Sequence, residues 1–182
     1  MNNLVSFLLL VLGVHAFQSS AFAADVVVTS IGQASDGMMV KVLMKKLDMD
    51  PDYDAVLSAE NLGAQKVIVA VIGASSKGLG AVGISKEEEK ARGKTLLQAA
   101  KAKKIKVLVM HIGGDRRRGE MTDTFIQAVA GLADRLIVVK SGNLDGIFIK
   151  AKSPNAKLTE VETAQAAVPV LETTLKEWRG TQ

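Results

Sequence analysis

Apolar and amphipathic runs alternate along this chain, and each run has the period of a definite element. Residues 26–31 (VVVTSI) are short and β-branched, which suits a strand. From Ser35 to Leu47 the apolar residues Met39, Val40, Leu43, Met44 and Leu47 make one helical stripe. Residues 53–59 (YDAVLSA) are half polar and read as an edge strand. Residues 66–73 (KVIVAVIG) are almost wholly apolar, as a parallel strand buried on both faces should be. Ser85 and Glu88 then stand at capping-box spacing, with acidic residues in the first turn, and predict a helix to about residue 104. Residues 106–114 (KVLVMHIGG) predict the next buried strand, and residues 122–133 a helix with Phe125, Ile126, Val129 and Leu132 inward. A strand at 135–142, a short helix near 144–152 and an edge strand at 158–162 (LTEVE) follow. The last helix runs through Leu171, Leu175 and Trp178, with Pro169 starting or kinking it.

Strands alternating with helices predict an α/β fold: a three-layer, doubly wound, mainly parallel sheet of five to six strands. A short second strand after the first helix, then a fully apolar third strand, fits the flavodoxin-like order 2-1-3-4-5. In that order the functional edge lies at the carboxyl ends of the strands, where the first and third diverge. No repeat or linker interrupts residues 24–182, which read as a single domain.

The amino end departs from this pattern. Residues 4–14 (LVSFLLLVLGV) are apolar but too short for a membrane span, and Ala21-Phe22-Ala23 is a small-x-small cleavage site. The expectation is a signal peptide over residues 1–23 and an extracytoplasmic domain, periplasmic or secreted. The alternative is a retained anchor, since no Lys or Arg precedes the apolar run. The chain has no Cys, which excludes disulfides, a thiol nucleophile and a thiolate metal site. The net charge of +4 is spread along the chain and aromatics are 4%, so nucleic acid is not an expected partner.

The stretches TSIGQASD after the first strand, IGASSKGLGAVGI after the third and HIGGDRRRGE after the fourth resemble a family of exported bacterial proteins classed as a domain of unknown function. VVKSGNLDG and LTEVE fit the same family, and the resemblance covers nearly all of the chain after the apolar leader. It implies a Rossmann-like domain and assigns no activity.

Within the second of those stretches Gly78-Leu79-Gly80-Ala81-Val82-Gly83 spells G-x-G-x-x-G. It does not predict a dinucleotide site. The strand ends near Gly73, the motif precedes the Ser85 cap, and no acidic residue ends the next strand. A P-loop fails because Leu79 and Gly80 stand where Lys and Ser or Thr are required. The stretch reads as a Gly-rich loop, either a plain crossover or a ligand loop. Ser75, Ser76 and the backbone at Gly78 suit a small anion, with Lys77 as a point charge. Ser30, Gln33 and Ser35 offer donors beside it, although Ser35 or Asp36 can equally serve only as a helix cap. Gly113, Gly114 and the run Arg116, Arg117 and Arg118 complete the set, with one arginine expected to grip a carboxylate or phosphate. His111 reads as a core histidine, and Ser141, Asn143 and Asp145 as turn formers at the far side.

These loops predict a binding domain for a small anionic ligand, suited to an accessory role in transport or sensing beside a membrane or transport partner. No catalytic set, metal cluster or cofactor signature emerges. Two other readings stay open. One is a hydrolase with Ser75 or Ser76 as nucleophile, although Lys77 spoils the G-x-S-x-G elbow. The other is a protein-interaction module using the Met-containing first helix or the last helix.

Overall fold

The computed structural model describes residues 25–180, so the expected leader and its cleavage site lie outside the described residues. Six strands form one parallel sheet: β1 (Val26–Ile31), β2 (Asp52–Tyr53), β3 (Val67–Ile72), β4 (Lys106–His111), β5 (Arg135–Val139) and β6 (Lys157–Val161). Their order is β2-β1-β3-β4-β5-β6, with every neighbouring pair parallel. The helices are α1 (Asp36–Lys45), α2 (Ser76–Val82), α3 (Lys86–Ala102), α4 (Glu120–Val129), α5 (Ile147–Ala151) and α6 (Ala167–Gly180).

The period of two in the central strands divides the interior into two cores. Ile68, Ala70 and Ile72 of β3 face one cluster with Leu96, Leu97, Phe125, Ile126 and Phe148, from α3, α4 and α5. Val67, Val69 and Val71 face the other, with Val40, Leu43 and Met44 of α1 and Leu171, Leu175 and Trp178 of α6. Helices therefore cover both faces of the sheet. β3 is buried at all six positions and pairs along its whole length with β1. It is the central apolar strand that the sequence pattern calls for.

Three expectations are corrected. The edge strand over 53–59 shrinks to β2. One further ladder bond forms, Asp54 N–H to Val28 O at 3.1 Å. Asp54 Oδ1 then accepts from Val56 N–H at 3.0 Å, and this local turn diverts the chain from the sheet. Second, the Gly-rich stretch after β3 is a helix rather than a loop. Ser75 caps it by accepting Gly78 N–H at 3.0 Å, and Gly83 ends it in the left-handed region at φ 70°. Third, the strand expected over 106–114 ends at His111, and Gly114–Arg117 form a 3₁₀ turn. The capping box of α3 is present as expected. Glu88 accepts Ser85 N–H at 2.7 Å, and that bond holds its carboxyl below the ordinary glutamate value. Pro169 lies in the first turn of α6, where its missing N–H leaves no intrahelical bond unmade.

Candidate functional site

The chain leaves β1 through two residues with positive φ, Gly32 at 96° and Gln33 at 60°. For Gln33 that conformation is uncommon and carries strain, so the surroundings must hold it. They do so from two sides. Ala34 N–H donates to Gly73 O at 2.9 Å, and Ser75 N–H donates to Gly32 O at 2.8 Å, which staples the loops after β1 and β3 together. Beneath them Glu89 of α3 is fully buried. Its Oε1 accepts from Gly32 N–H at 2.8 Å and from Gln33 Nε2 at 2.9 Å. Arg92 balances the charge through Nε to Glu89 Oε2 at 2.7 Å, and also donates to the carbonyls of Leu57 and Ser30. A buried ion pair thus fixes the loop from which the site is built.

α2 closes the other side. A side chain at Gly78 would lie 2.0 Å from Gln33 O, so only glycine lets this helix approach the β1 loop so closely. The G-x-G-x-x-G spacing therefore serves helix packing and a helix end, and does not wrap a pyrophosphate.

The carboxyl ends of β1 and β3 leave an open cleft of about 360 Å³ between these loops. It is lined by Ser30, Gln33, Ala34 and Ser35 from the β1 loop, Tyr53 from β2, and Ser75, Lys77, Gly78 and Ala81 from α2. Arg117 reaches it from the turn after β4. This is the point where strand order reverses, the usual place for ligands in an open α/β sheet. Ser30 is buried, with its Oγ 3.3 Å from Tyr53 Oη and 3.4 Å from Ala34 O. Lys77 is exposed, and its side chain takes no part in the hydrogen bonds or ion pairs among the described residues.

The structure thus brings Ser30, Gln33, Ser35, Ser75, Lys77, Gly78 and Arg117 together. It separates others from them. Ser76 is exposed at the start of α2, and Arg116 is exposed on the turn; neither lines the cleft. Arg118 turns away and binds Asp123 at 2.7 Å, Asp145 at 2.8 Å and Gly142 O at 2.6 Å. Those carboxylates push its guanidinium pKa up, and Arg118 in turn holds the Asp145 carboxyl well below its usual range. Gly114 is buried at φ 61° beside Ser141, while Gly113 lies against Arg117 and Asp36. His111 is fully buried, with Nδ1 2.9 Å from Ile72 O and Nε2 3.0 Å from Gly114 O, which is the core placement expected for it. Ser35 makes no capping bond to α1.

Four participants are not legible as such in the sequence: Tyr53, Asp36 as the partner of Arg117, and the Glu89–Arg92 pair. Asp36 lies in the first turn of α1 and its side chain is 4% exposed, with Oδ1 3.3 Å from Arg117 Nε. Its proximity to Arg117 spans 81 positions of sequence, so no local spacing could reveal it.

The family described as Domain of unknown function (DUF6305) matches residues 23–175. The chain belongs to this family. No curated protein and no solved structure matches it. Among the described residues, no group of three or more His, Cys, Asp or Glu is placed to hold a metal ion, and no helix is long and apolar enough to cross a membrane.

Proposed function

We propose that this DUF6305 chain is an exported domain that binds a small anion in the cleft between β1 and β3, as an accessory to transport or sensing. One observation carries the reading. Lys77 and Arg117 come from different parts of the fold and line the same cleft at the switch point of the sheet. Hydroxyls of Ser30, Ser35, Tyr53 and Ser75 surround them, so the cleft offers charge-assisted and neutral donors together. The buried Glu89–Arg92 pair makes the loop rigid before any ligand arrives, which lowers the ordering cost of binding. A second cleft, of about 340 Å³ between β5, β6 and α6, holds Lys157 and an Arg135 engaged with Glu177, but it lies at the β6 edge, away from the point where strand order reverses.

The test is calorimetry and thermal shift with a panel of small carboxylates, phosphate and sulfate. Losing one charge-assisted bond costs about 1.5–3 kcal/mol, so Lys77→Ala or Arg117→Ala should weaken the best ligand at least about tenfold with the fold intact. Unchanged affinity in the double variant sinks the site. Export is checked separately by the intact mass of protein from the extracytoplasmic fraction, expected to begin at Ala24; a full-length, membrane-retained product contradicts it.

A further inference from the structure

We propose that the anion held by this cleft is an amphiphilic carboxylate, its headgroup between Lys77 and Arg117 and its apolar body lying toward Tyr53. The inference rests on the anion reading above and names the ligand class.

The lining is divided by chemistry. On the side of α2 and the turn after β4, the donors are unspent. The Lys77 ammonium pairs with nothing among the described residues. Arg117 uses only Nε, toward Asp36, which leaves both terminal nitrogens of its fork for a ligand. Ser75 Oγ accepts Gly78 N–H and keeps its own proton to give. On the side of β1 and β2, the protein has used its donors. Gln33 Nε2 donates to Ala55 O and to Glu89 Oε1, both at 2.9 Å. Ser30 Oγ lies between Ala34 O and Tyr53 Oη. What remains there for a ligand is chiefly the half-buried Tyr53 ring.

Strand order fixes how the two halves lie. β2, with Tyr53, and β4, whose following turn carries Arg117, stand on opposite sides of the β1–β3 pair. Their ends are three strand spacings apart, about 14 Å, and the Arg117 side chain reaches back to the start of α1. The cleft of about 360 Å³ between them is in the range that holds an organic molecule rather than a bare ion.

Two exposed valines extend the apolar half. Val82 stands one helical turn after Gly78, the residue that abuts Gln33 O. Val56 follows Ala55, the partner of Gln33 Nε2. Each is 41% exposed, so apolar surface flanks Gln33 from two separate segments. Charge then sets the headgroup. No carboxylate is among the lining residues, and Lys77 and Arg117 against Asp36 leave one uncompensated positive charge. One carboxylate balances it, and the planar fork of arginine matches its two oxygens.

The experiment titrates the purified protein calorimetrically with acetate, butyrate, hexanoate and 3-phenylpropionate, and with 1-hexanol, inorganic phosphate and sulfate alongside. Burying one methylene raises affinity by up to about fourfold. Hexanoate, with four more methylenes than acetate, should therefore bind at least about tenfold tighter than acetate. Lys77→Ala should weaken every carboxylate at least about tenfold and keep the ratios between them. Tyr53→Ser, and separately the double variant Val56→Ser with Val82→Ser, should flatten the dependence on chain length. Both valines are exposed, so the double variant serves if Tyr53→Ser fails to fold. A flat series, weakened throughout by Lys77→Ala, overturns the amphiphile and leaves the anion site standing. So does phosphate or sulfate binding tighter than hexanoate, or a chain-length dependence that none of these apolar substitutions changes. Hexanol binding as tightly as hexanoate, or no binding of any anion in the panel, defeats both readings.

Discussion

Glu89 places its carboxylate in a site with no solvent exposure, where it meets Gly32, Gln33 and Arg92. Breaking a buried pair from one side leaves the other charge stranded, which typically costs about 3–5 kcal/mol. Glu89→Ala should therefore lower the unfolding free energy by about that amount in urea titration, with Gly32 N–H and the Gln33 amide orphaned as well. A loss below about 1 kcal/mol would mean that water or a rearranged Arg92 replaces it. His111 is a second such residue. Its ring nitrogens lie between Ile72 O and Gly114 O, one of which accepts the ring N–H, and it packs on Phe148 at a centroid distance of 5.4 Å. His111→Ala should cost at least about 2 kcal/mol, since it opens a cavity and removes the ring N–H that one of these carbonyls accepts. In the sequence His111 is readable because a histidine inside an apolar strand must satisfy its nitrogens locally. Glu89 is not, because as one of three consecutive acids at a helix start it looks like dipole compensation. Only the fold distinguishes it from Glu87 and Glu88.

At the scale of elements, the apolar strands announce themselves and the Gly-rich helix does not. β3 and β4 read directly because burial on both faces leaves little room for a polar residue. α2 hides because Leu79 is its only buried apolar side chain and two glycines depress its helix propensity. Capping by Ser75 and contact with the β1 loop overcome that deficit. Those two glycines make a matched pair of probes. A Cβ at Gly80 meets nothing within 4 Å, so Gly80→Ala should stabilise the protein by about 0.5–1 kcal/mol through the helix preference of alanine. Gly78→Ala would drive a methyl into Gln33 O, and should instead destabilise and displace α2 from the cleft. Thermal unfolding of the two variants separates them. If both shift in the same direction, the tight approach of α2 to the β1 loop is not what glycine provides here. The edge strand is misjudged for a related reason, since a half-polar pattern cannot show that Asp54 will turn the chain after Tyr53.

For the molecule as a whole, the parallel topology alone places the loops after β1, β3 and β4 along one edge. That much of the site follows from the alternation of elements. Which of three adjacent arginines enters the cleft does not follow, because a 3₁₀ turn sends Arg117 and Arg118 in different directions. Arg118 ties the turn after β4 to α4 through Asp123 and to the segment before α5 through Asp145. This tie has a pH signature whose sign is fixed. Arg118 depresses the Asp145 carboxyl in the folded state, while in the unfolded chain the group returns to about 3.9. The stabilisation is therefore complete above the unfolded value and is lost as pH falls through the lower folded value. Asp145 is 58% exposed, so solvent screening keeps its contribution at roughly 0.2–1 kcal/mol. Asp145→Asn should be less stable than the unsubstituted chain by that margin, with a constant gap above about pH 5. The gap should close as the pH falls below about 4 toward strongly acidic conditions. Urea unfolding of the two proteins across this range measures it directly. A gap that persists or widens in acid would mean that Asp145 acts through its bond to Ile147 N–H or through packing, and that the charge of Arg118 does not hold the three segments together.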